Sequence, residues 1–144
     1  MVTSIKNLSD YDKKNISNGA DYKIGIVVSE WNEAITSKLM EGAINTFKEN
    51  GVTDQNLLIK SVPGAFELPL GAQSLLEFNK LDGVITIGTV IQGETKHFDY
   101  VCSGASQGIM TVMLNYNTPI SFCVLTDNTM QHSIDRSGGK HGNK

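Results

Sequence analysis

Four short apolar runs, each followed by a stretch with helical spacing, constrain the fold of this 144-residue chain more than any other feature. The runs lie at residues 24–28, 57–62, 84–87 and 120–125. Nearly continuous apolar runs of this length are typical of strands that are buried on both faces. Strands that alternate with helices form parallel sheets through right-handed crossovers. The sequence therefore predicts an α/β fold, a three-layer αβα sandwich around a four-stranded parallel sheet.

The stretches between the runs place their apolar residues on one side of a helix. In the first stretch Asn50 and Gly51 supply a stop, and the apolar residues are Ile35, Leu39, Ala43 and Phe47. Similar stripes follow the second and third runs, at Leu68, Ala72, Leu75, Leu76, Val101, Ala105, Ile109 and Val112. A last helix is predicted through Met130 and Ile134, with Asp127 as its N-cap. We expect the strands to follow the flavodoxin-like order.

Length and polarity predict one domain with a short extension. A chain of roughly 150 residues is the usual size of a single compact domain. Residues 1–22 are rich in Asn, Ser, Asp and Gly and hold few apolar side chains. We expect them to form a polar N-terminal arm that lies on a neighbouring subunit, while residues 23–144 form the α/β domain.

Charge and hydropathy exclude several classes of partner. The net charge is −3, so the chain lacks the basic face that nucleic-acid backbones require. No apolar run approaches the about 18 residues needed to cross a bilayer, and the N-terminus lacks the apolar centre of a signal peptide. We expect a soluble, cytoplasmic protein that binds neither nucleic acid nor membrane. The two cysteines, Cys102 and Cys123, match no redox or zinc spacing and are expected to be small buried hydrophobes.

Ligands of parallel sheets bind beyond the carboxyl ends of the strands, so the turns after the strands are expected to carry function. Trp31 follows the first strand and can stack on a planar heterocycle, although an indole that plugs the end of the sheet is equally compatible. Glu67 follows Pro63 and Gly64 and can accept hydrogen bonds from the hydroxyls of a polyol. An ordinary first-turn glutamate, favoured by the helix dipole, is the alternative.

The long segment at residues 88–97 ends where a helix is predicted to begin, and free amides at such a point attract anions. It lacks the glycine spacing of dinucleotide and nucleoside triphosphate sites, so we expect a single phosphate on the amides of residues 93–95. His97 is suited to proton transfer at neutral pH, with a structural histidine as the alternative. Arg136 and Lys140 can clamp a phosphate or be solvated charges near a helix end. The three histidines share no ligand spacing, so no metal is expected.

Four motifs together, in this order, resemble those of the lumazine synthase family, and the resemblance covers residues 24–144. They are Trp31-Asn32 followed by Ile35-Thr36, VPGAFE at residues 62–67, GETKHFDYV at residues 93–101 and DRSGGKHGNK at residues 135–144. The resemblance implies the condensation of 5-amino-6-(D-ribitylamino)uracil with 3,4-dihydroxy-2-butanone 4-phosphate to 6,7-dimethyl-8-ribityllumazine. That reaction is the penultimate step of riboflavin biosynthesis. It runs through a Schiff base, loss of phosphate and ring closure, with no cofactor and no metal.

The resemblance also implies a role for each site residue. Trp31 would stack on the pyrimidine, and His97 would transfer protons. The ring and the ribityl chain would be held by Ala65, Phe66, Glu67, Thr89, Val90, Ile91 and Phe122. The butanone phosphate would be held by Glu94, Thr95, Arg136 and Lys140. Like charges repel, so the Glu94 amide and not its carboxylate should face the phosphate.

The same resemblance implies a homo-oligomer. Family members form pentamers, some of which dimerise or close into sixty-subunit icosahedral shells, with active sites shared between neighbours. Phe122, Arg136 and Lys140 would then come from the adjacent subunit. An association with riboflavin synthase is a further expectation.

Three features depart from the family pattern. Trp31 stands where phenylalanine is common, and Gln92 stands where many relatives have arginine. The sequence also ends at Lys144, before a further helix that covers the sheet in relatives, so we expect exposed apolar surface there.

Two other functions remain open: a non-catalytic flavin- or lumazine-binding protein, and a flavodoxin-like or receiver-type signalling domain. A receiver needs an acidic cluster after the first strand, where only Glu30 stands.

Overall fold

A computed structural model describes residues 12–143 of the chain, so the first half of the predicted arm lies outside the described residues. Its centre is a four-stranded parallel sheet in the order β2-β1-β3-β4. The strands are β1 (Ile24–Ser29), β2 (Leu57–Val62), β3 (Gly83–Ile91) and β4 (Ile120–Asp127). This arrangement confirms the predicted three-layer sandwich and its flavodoxin-like order.

Helices cover both faces of the sheet. The helices are α1 (Glu33–Glu49), α2 (Leu68–Phe78), α3 (His97–Tyr116) and α4 (Met130–Arg136). An antiparallel hairpin of β5 (Ser137–Gly139) and β6 (Gly142–Asn143) follows α4 and contacts α1. Short 3₁₀ turns occupy Lys13–Asn15, Asp54–Asn56 and Ala65–Glu67. None of the helices in the described part of the chain is long and apolar enough to span a membrane.

Two hydrophobic cores lie on opposite faces of the sheet, because successive strand residues point to opposite sides. The larger core, under α2 and α3, contains Val27, Ala65, Leu68, Ala72, Leu75, Val84, Ile109, Val112, Ile120 and Val124. The smaller core, under α1, contains Ile26, Ile35, Leu39 and Ile87. Helix α2 lies close to the sheet because Gly71 has no side chain, and a Cβ there would be 2.6 Å from Cγ1 of Val27. The predicted apolar stripes thus face the sheet.

The third strand is longer than its predicted residues 84–87. Its ladder with β4 continues to the pair Ile91 and Asp127, so Thr89 to Ile91 are strand residues and not part of a loop. The polar Thr89 stays inside the sheet since its hydroxyl has a buried hydrogen-bond partner. Only residues 92–96 form the connection to α3.

Asp127 is not the N-cap of the last helix, which corrects that prediction. It is the final residue of β4, since the parallel ladder extends that far. The cap is Thr129, whose Oγ1 accepts a hydrogen bond from the His132 N–H at 3.3 Å. The Asp127 carboxylate instead accepts a hydrogen bond from the hydroxyl of Ser133.

The part of the predicted arm that the structure describes, residues 12–22, contacts its own chain. The Gly19 N–H donates to the carbonyl of Asn50 at 2.7 Å, and Nδ2 of Asn56 donates to the carbonyl of Ala20 at 3.0 Å. Lys13 forms an ion pair of 2.9 Å with Glu49 at the end of α1. These contacts fix the entry of the chain into β1.

Both cysteines are partly exposed, which corrects the prediction that they are small buried hydrophobes. Cys123 packs against the smaller core from β4, an edge strand of the sheet. Burial raises the pKa of the Cys123 thiol. Burial and, to a lesser degree, the charge of Asp99 raise the pKa of the Cys102 thiol. Both thiols therefore stay protonated at neutral pH and are poor nucleophiles.

Candidate active site

A cavity of about 790 Å³ lies beyond the carboxyl ends of β1, β2 and β3. Its lining consists of Trp31, Asn32, Pro63, Gly64, Ala65, Phe66, Glu67, Thr89, Val90, Ile91, His97, Tyr100 and Val101. These residues follow β1, β2 or β3 or are the last residues of β3, because a parallel sheet brings the carboxyl ends of its strands to one edge. Eight of the predicted site residues meet there: Trp31, Ala65, Phe66, Glu67, Thr89, Val90, Ile91 and His97.

Trp31 does not plug the end of the sheet. The backbone after β1 stays beside β2, since the N–H groups of Glu30 and Trp31 donate to the carbonyls of Val62 and Pro63 at 2.9 and 3.0 Å. Asn32 then turns the chain in the left-handed conformation, at φ 61°, into α1. The Trp31 side chain is left 71% exposed at the edge of the cavity. An indole placed this way is free to stack on a flat ring.

The opposite wall is built by the turn Ala65–Glu67 at the start of α2. Oε2 of Glu67 accepts a hydrogen bond from the Gly64 N–H at 2.9 Å, which holds the turn closed. This is the ordinary structural role of a first-turn glutamate, yet the side chain also lines the cavity. The exposed ring of Phe66 lies against α3 at Gly104, where a Cβ would be 2.6 Å from Cε2 of the ring. The turn therefore presents a carboxylate and an aromatic ring side by side.

His97 is the first residue of α3, and its exposed side chain lines the cavity. Its backbone N–H donates to Oγ1 of Thr95 at 3.3 Å, so the threonine satisfies one free amide of the helix. The floor of the cavity comes from β3, where Thr89 is buried and Val90 and Ile91 are partly exposed. An accessible imidazole thus stands over an apolar floor.

Five predicted site residues do not line this cavity: Glu94, Thr95, Phe122, Arg136 and Lys140. Glu94 and Thr95 lie in the exposed loop just before His97. Phe122 is exposed on β4, and Arg136 ends α4 with its Nη1 donating to the carbonyl of His132 at 3.3 Å. A single chain therefore brings together the residues expected around a ring and a polyol, but not the cations expected around a phosphate.

Sequence reasoning missed Tyr100 as a lining residue. Its exposed ring lies one helical turn after His97 on α3 and faces the same cavity. The signal was present, because residues three apart on a helix share a face and the position of His97 was already assigned. Tyr100 adds a third aromatic ring to those of Trp31 and Phe66.

A second cavity, of about 340 Å³, lies beside α1 near Glu30, Glu33 and Ser61. Here the Ser61 hydroxyl donates to Oε1 of Glu30 at 2.7 Å, whereas the buried hydroxyl of Ser29 has no hydrogen-bond partner among the described residues. Within residues 12–143, no group of three or more His, Cys, Asp or Glu side chains is arranged to hold a metal ion. The larger cavity, with its rings, carboxylate and imidazole, is therefore the candidate active site.

Comparison with known proteins identifies the family to which the chain belongs. The family model described as 6,7-dimethyl-8-ribityllumazine synthase matches residues 21–144. The chain belongs to the lumazine synthase family. The 6,7-dimethyl-8-ribityllumazine synthase of Parabacteroides distasonis is 51% identical over 144 residues, which cover all of this chain and 90% of that protein. The enzyme of the same name from Flavobacterium johnsoniae is 54% identical over 144 residues, which cover all of this chain and 76% of that protein.

Membership of the lumazine synthase family confirms the resemblance drawn from the four motifs. Three of the motifs contribute residues to the cavity: Trp31 and Asn32 from the first, residues 63–67 from the second, and His97, Tyr100 and Val101 from the third. The fourth motif, at residues 135–144, forms the end of α4 and the hairpin and lies outside the cavity lining.

Proposed function

We propose that this chain is a transferase that condenses 5-amino-6-(D-ribitylamino)uracil with 3,4-dihydroxy-2-butanone 4-phosphate. The products are 6,7-dimethyl-8-ribityllumazine, phosphate and water, and the reaction is the penultimate step of riboflavin biosynthesis. Family membership over residues 21–144 supports the activity. The structural observation that carries the proposal is the single cavity shared by Trp31, Glu67 and His97.

The cavity suits the ribitylaminouracil. Its volume of about 790 Å³ lies within the range of roughly 300–1,000 Å³ that is usual for small-molecule sites. In our proposal the pyrimidine stacks on Trp31, while Ala65, Phe66 and the strand residues 89–91 enclose the ring. Glu67 accepts hydrogen bonds from the ribityl hydroxyls, because a carboxylate oxygen can accept more than one hydrogen bond. Phe122 of the adjacent subunit would close the cavity.

The phosphate of the second substrate would bind at the start of α3, where unpaired amides favour an anion. The amides of Glu94 and Thr95 would donate to it, with the Glu94 carboxylate turned away. Arg136 and Lys140 of the adjacent subunit would supply the positive charge, since a guanidinium offers two parallel donors to a phosphate. A site shared between two subunits in this way is consistent with the position of Arg136 and Lys140 outside the cavity of their own chain.

His97 would move protons while the two substrates join. The amine of the pyrimidine attacks the butanone carbonyl and forms an imine with loss of one water. Elimination of phosphate leaves an enol that becomes a second carbonyl, and the ribitylamino nitrogen attacks this carbonyl and closes the ring with loss of a second water. Holding two reactants in contact can contribute about 7–11 kcal/mol, whereas one acid or base contributes a factor of about 10²–10⁴. Positioning is therefore the larger part of catalysis in this proposal, and no cofactor or metal takes part.

We also propose that the enzyme works in the cytoplasm as a homo-oligomer built from pentamers. The separation between the cavity and Arg136 supports a site that two chains complete. Mass photometry distinguishes a pentamer from a decamer or a sixty-subunit shell, and a monomer that is fully active would contradict the shared site. Co-sedimentation with riboflavin synthase tests the further association.

A fluorescence assay tests the activity directly. Purified full-length protein is mixed with both substrates, and lumazine fluorescence is followed against a protein-free control, since the two substrates are small and their background condensation must be subtracted. Formation of lumazine above that background supports the proposal. Binding of ribitylaminouracil without any turnover would indicate a non-catalytic ligand-binding protein instead.

A further inference from the structure

Three buried polar side chains joined by hydrogen bonds, which we call the polar chain, lie at the carboxyl ends of β3 and β4, beside the candidate active site. Its members are Thr89, Asp127 and Ser133, and Ser133 is 0% exposed. The Ser133 hydroxyl donates to Oδ2 of Asp127 at 2.8 Å, and Oγ1 of Thr89 is 3.2 Å from Oγ of Ser133. An ionised carboxylate only accepts, so Ser133 donates to Asp127 and the Thr89 hydroxyl donates to Ser133. The three side chains therefore have one defined arrangement.

The second oxygen of the Asp127 carboxylate faces a cation. Nη1 of Arg136 lies 3.9 Å from Oδ1 of Asp127, and the arginine side chain is 40% exposed. A buried carboxylate that lacks a compensating charge is costly, which favours this pairing. At 3.9 Å the contact is longer than a hydrogen bond, so the carboxylate attracts the guanidinium without occupying its donors. The guanidinium has five N–H donors, of which the His132 carbonyl takes one from Nη1 at 3.3 Å.

We propose that Asp127, held in place by Ser133, is a positioning residue that fixes the guanidinium of Arg136 for the phosphate of the butanone substrate. This inference rests on the proposed role of Arg136 in phosphate binding. A long, flexible arginine loses conformational freedom when it binds a ligand, and a fixed counter-charge lowers that loss in advance. Thr89 links Ser133 to β3 by a hydrogen bond. The position of the guanidinium therefore depends on a rigid strand as well as on the seven-residue helix α4.

A purely structural role for Asp127 makes a different prediction. If the carboxylate only pins α4 to the sheet, its loss lowers stability and affects both substrates alike. If it positions Arg136, its loss weakens binding of the phosphate-bearing substrate alone. The ratio of the two Michaelis constants therefore separates the two roles.

The test compares Asp127→Asn with Asp135→Asn in the full-length protein. Asparagine keeps the shape and the acceptor for Ser133 but removes the charge. Asp135 provides a matched control, since it lies beside Arg136 in α4 and its Oδ1 accepts a hydrogen bond from Nε2 of Gln131 at 2.8 Å.

For Asp127→Asn we expect the KM for the butanone phosphate and the Kd for inorganic phosphate to rise about fivefold, the scale of one partly exposed charge contact. The kcat and the KM for ribitylaminouracil stay at wild-type values, and Asp135→Asn matches the wild type in every constant.

A double variant shows whether Asp127 acts through Arg136. In an Arg136→Ala background, Asp127→Asn should add no further change to the Kd for inorganic phosphate, because the group it positions is gone. Equal Kd values for Asp127→Asn and Asp135→Asn, or a full fivefold effect in the Arg136→Ala background, would overturn the inference. If Asp127→Asn does not fold, Ser133→Ala takes its place, with a smaller rise in the same two constants expected and an unchanged Kd overturning the inference.

The failure of the proposed function is a separate outcome. A wild-type protein that makes no lumazine contradicts the proposed reaction, whereas its Kd for inorganic phosphate still reports on Arg136. A wild-type protein that is active while Asp127→Asn leaves both phosphate constants unchanged contradicts only the positioning role.

Discussion

Two regions at the same edge of the sheet are built in opposite ways. The cavity beyond β1 and β3 exposes three aromatic rings, those of Trp31, Phe66 and Tyr100, and leaves its imidazole accessible. The polar chain beyond β3 and β4 buries Asp127 and Ser133 and joins their polar atoms by hydrogen bonds. Apolar rings left in water contribute little to folding, so their grouping indicates a ligand. Buried polar atoms must be satisfied within the protein, so their grouping indicates a fixed geometry.

This contrast has an energetic consequence. Substitutions of the exposed side chains in the cavity should change catalysis or binding and leave stability nearly unchanged, because these side chains make few contacts that are lost on unfolding. Substitutions in the polar chain should lower stability, because a buried acceptor that loses its donor costs about 1–3 kcal/mol.

The largest effect is expected for His97→Ala. The kcat should fall by a factor of about 10²–10⁴, the contribution of one acid or base, with activity still above background. The thermal midpoint should not change, since the side chain is exposed. His132→Ala is the control, because His132 is exposed on α4 and does not line the cavity. Steady-state kinetics with both variants provides the measurement, and complete loss of activity with intact substrate binding would show that positioning alone is insufficient.

Arg136→Ala should have the next largest effect. Charge-assisted hydrogen bonds are worth about 1.5–3 kcal/mol, so the KM for the butanone phosphate should rise by a factor of about 10–100. The KM for ribitylaminouracil should stay constant. Lys60→Ala, on the exposed strand β2, removes one positive charge elsewhere and serves as the control. An unchanged KM for the butanone phosphate in the arginine variant would remove Arg136 from the phosphate site.

Trp31→Ala should raise the KM for ribitylaminouracil about tenfold, which combines the stacking contribution with the apolar area lost. The thermal midpoint should match that of the wild type, given the exposure of the ring. Trp31→Phe should restore most of the affinity. Phe78→Ala is the matched control, because Phe78 is also an exposed aromatic residue but lies at the end of α2 outside the cavity. A large loss of stability in Trp31→Ala would break the contrast between the two regions.

Ser133→Ala tests the other side of the contrast. It removes the donor to the buried Asp127 carboxylate, so the free energy of unfolding should fall by about 1–3 kcal/mol. Denaturation in urea at one fixed protein concentration measures the change, since an oligomer's stability depends on concentration. Ser106→Ala is the control, because the Ser106 hydroxyl is exposed and donates within its own helix. Equal stability in the two variants would show that the polar chain contributes nothing to folding.

The sequence predicted the features that depend on local spacing. The four strands and the helix stripes follow from runs of apolar residues, and eight predicted site residues come together because each lies at or after the carboxyl end of a strand in one parallel sheet. Features that depend on distant partners were not predictable. The extension of β3 depends on its pairing with β4, and the role of Asp127 depends on contacts with Ser133 and Arg136. Tyr100 could have been predicted, because it lies three residues after His97 and so shares a helix face with it.

The smallest expected effect comes from Gly104→Ala, which alters the cavity without replacing any residue that lines it. A Cβ at this position would lie 2.6 Å from Cε2 of Phe66, so the ring must move away from α3. Alanine in the middle of a helix is favoured over glycine by about 1 kcal/mol, so stability should stay constant or rise while the ring is displaced. We expect the KM for ribitylaminouracil to rise about twofold to threefold, a fraction of the contribution of one aromatic contact. Ser106→Ala again serves as the control, because it raises helix propensity in the same helix without touching Phe66. A variant that gains stability and loses affinity would show that this position of Phe66 serves ligand binding and not folding, whereas an unchanged KM would mean that Phe66 only borders the site.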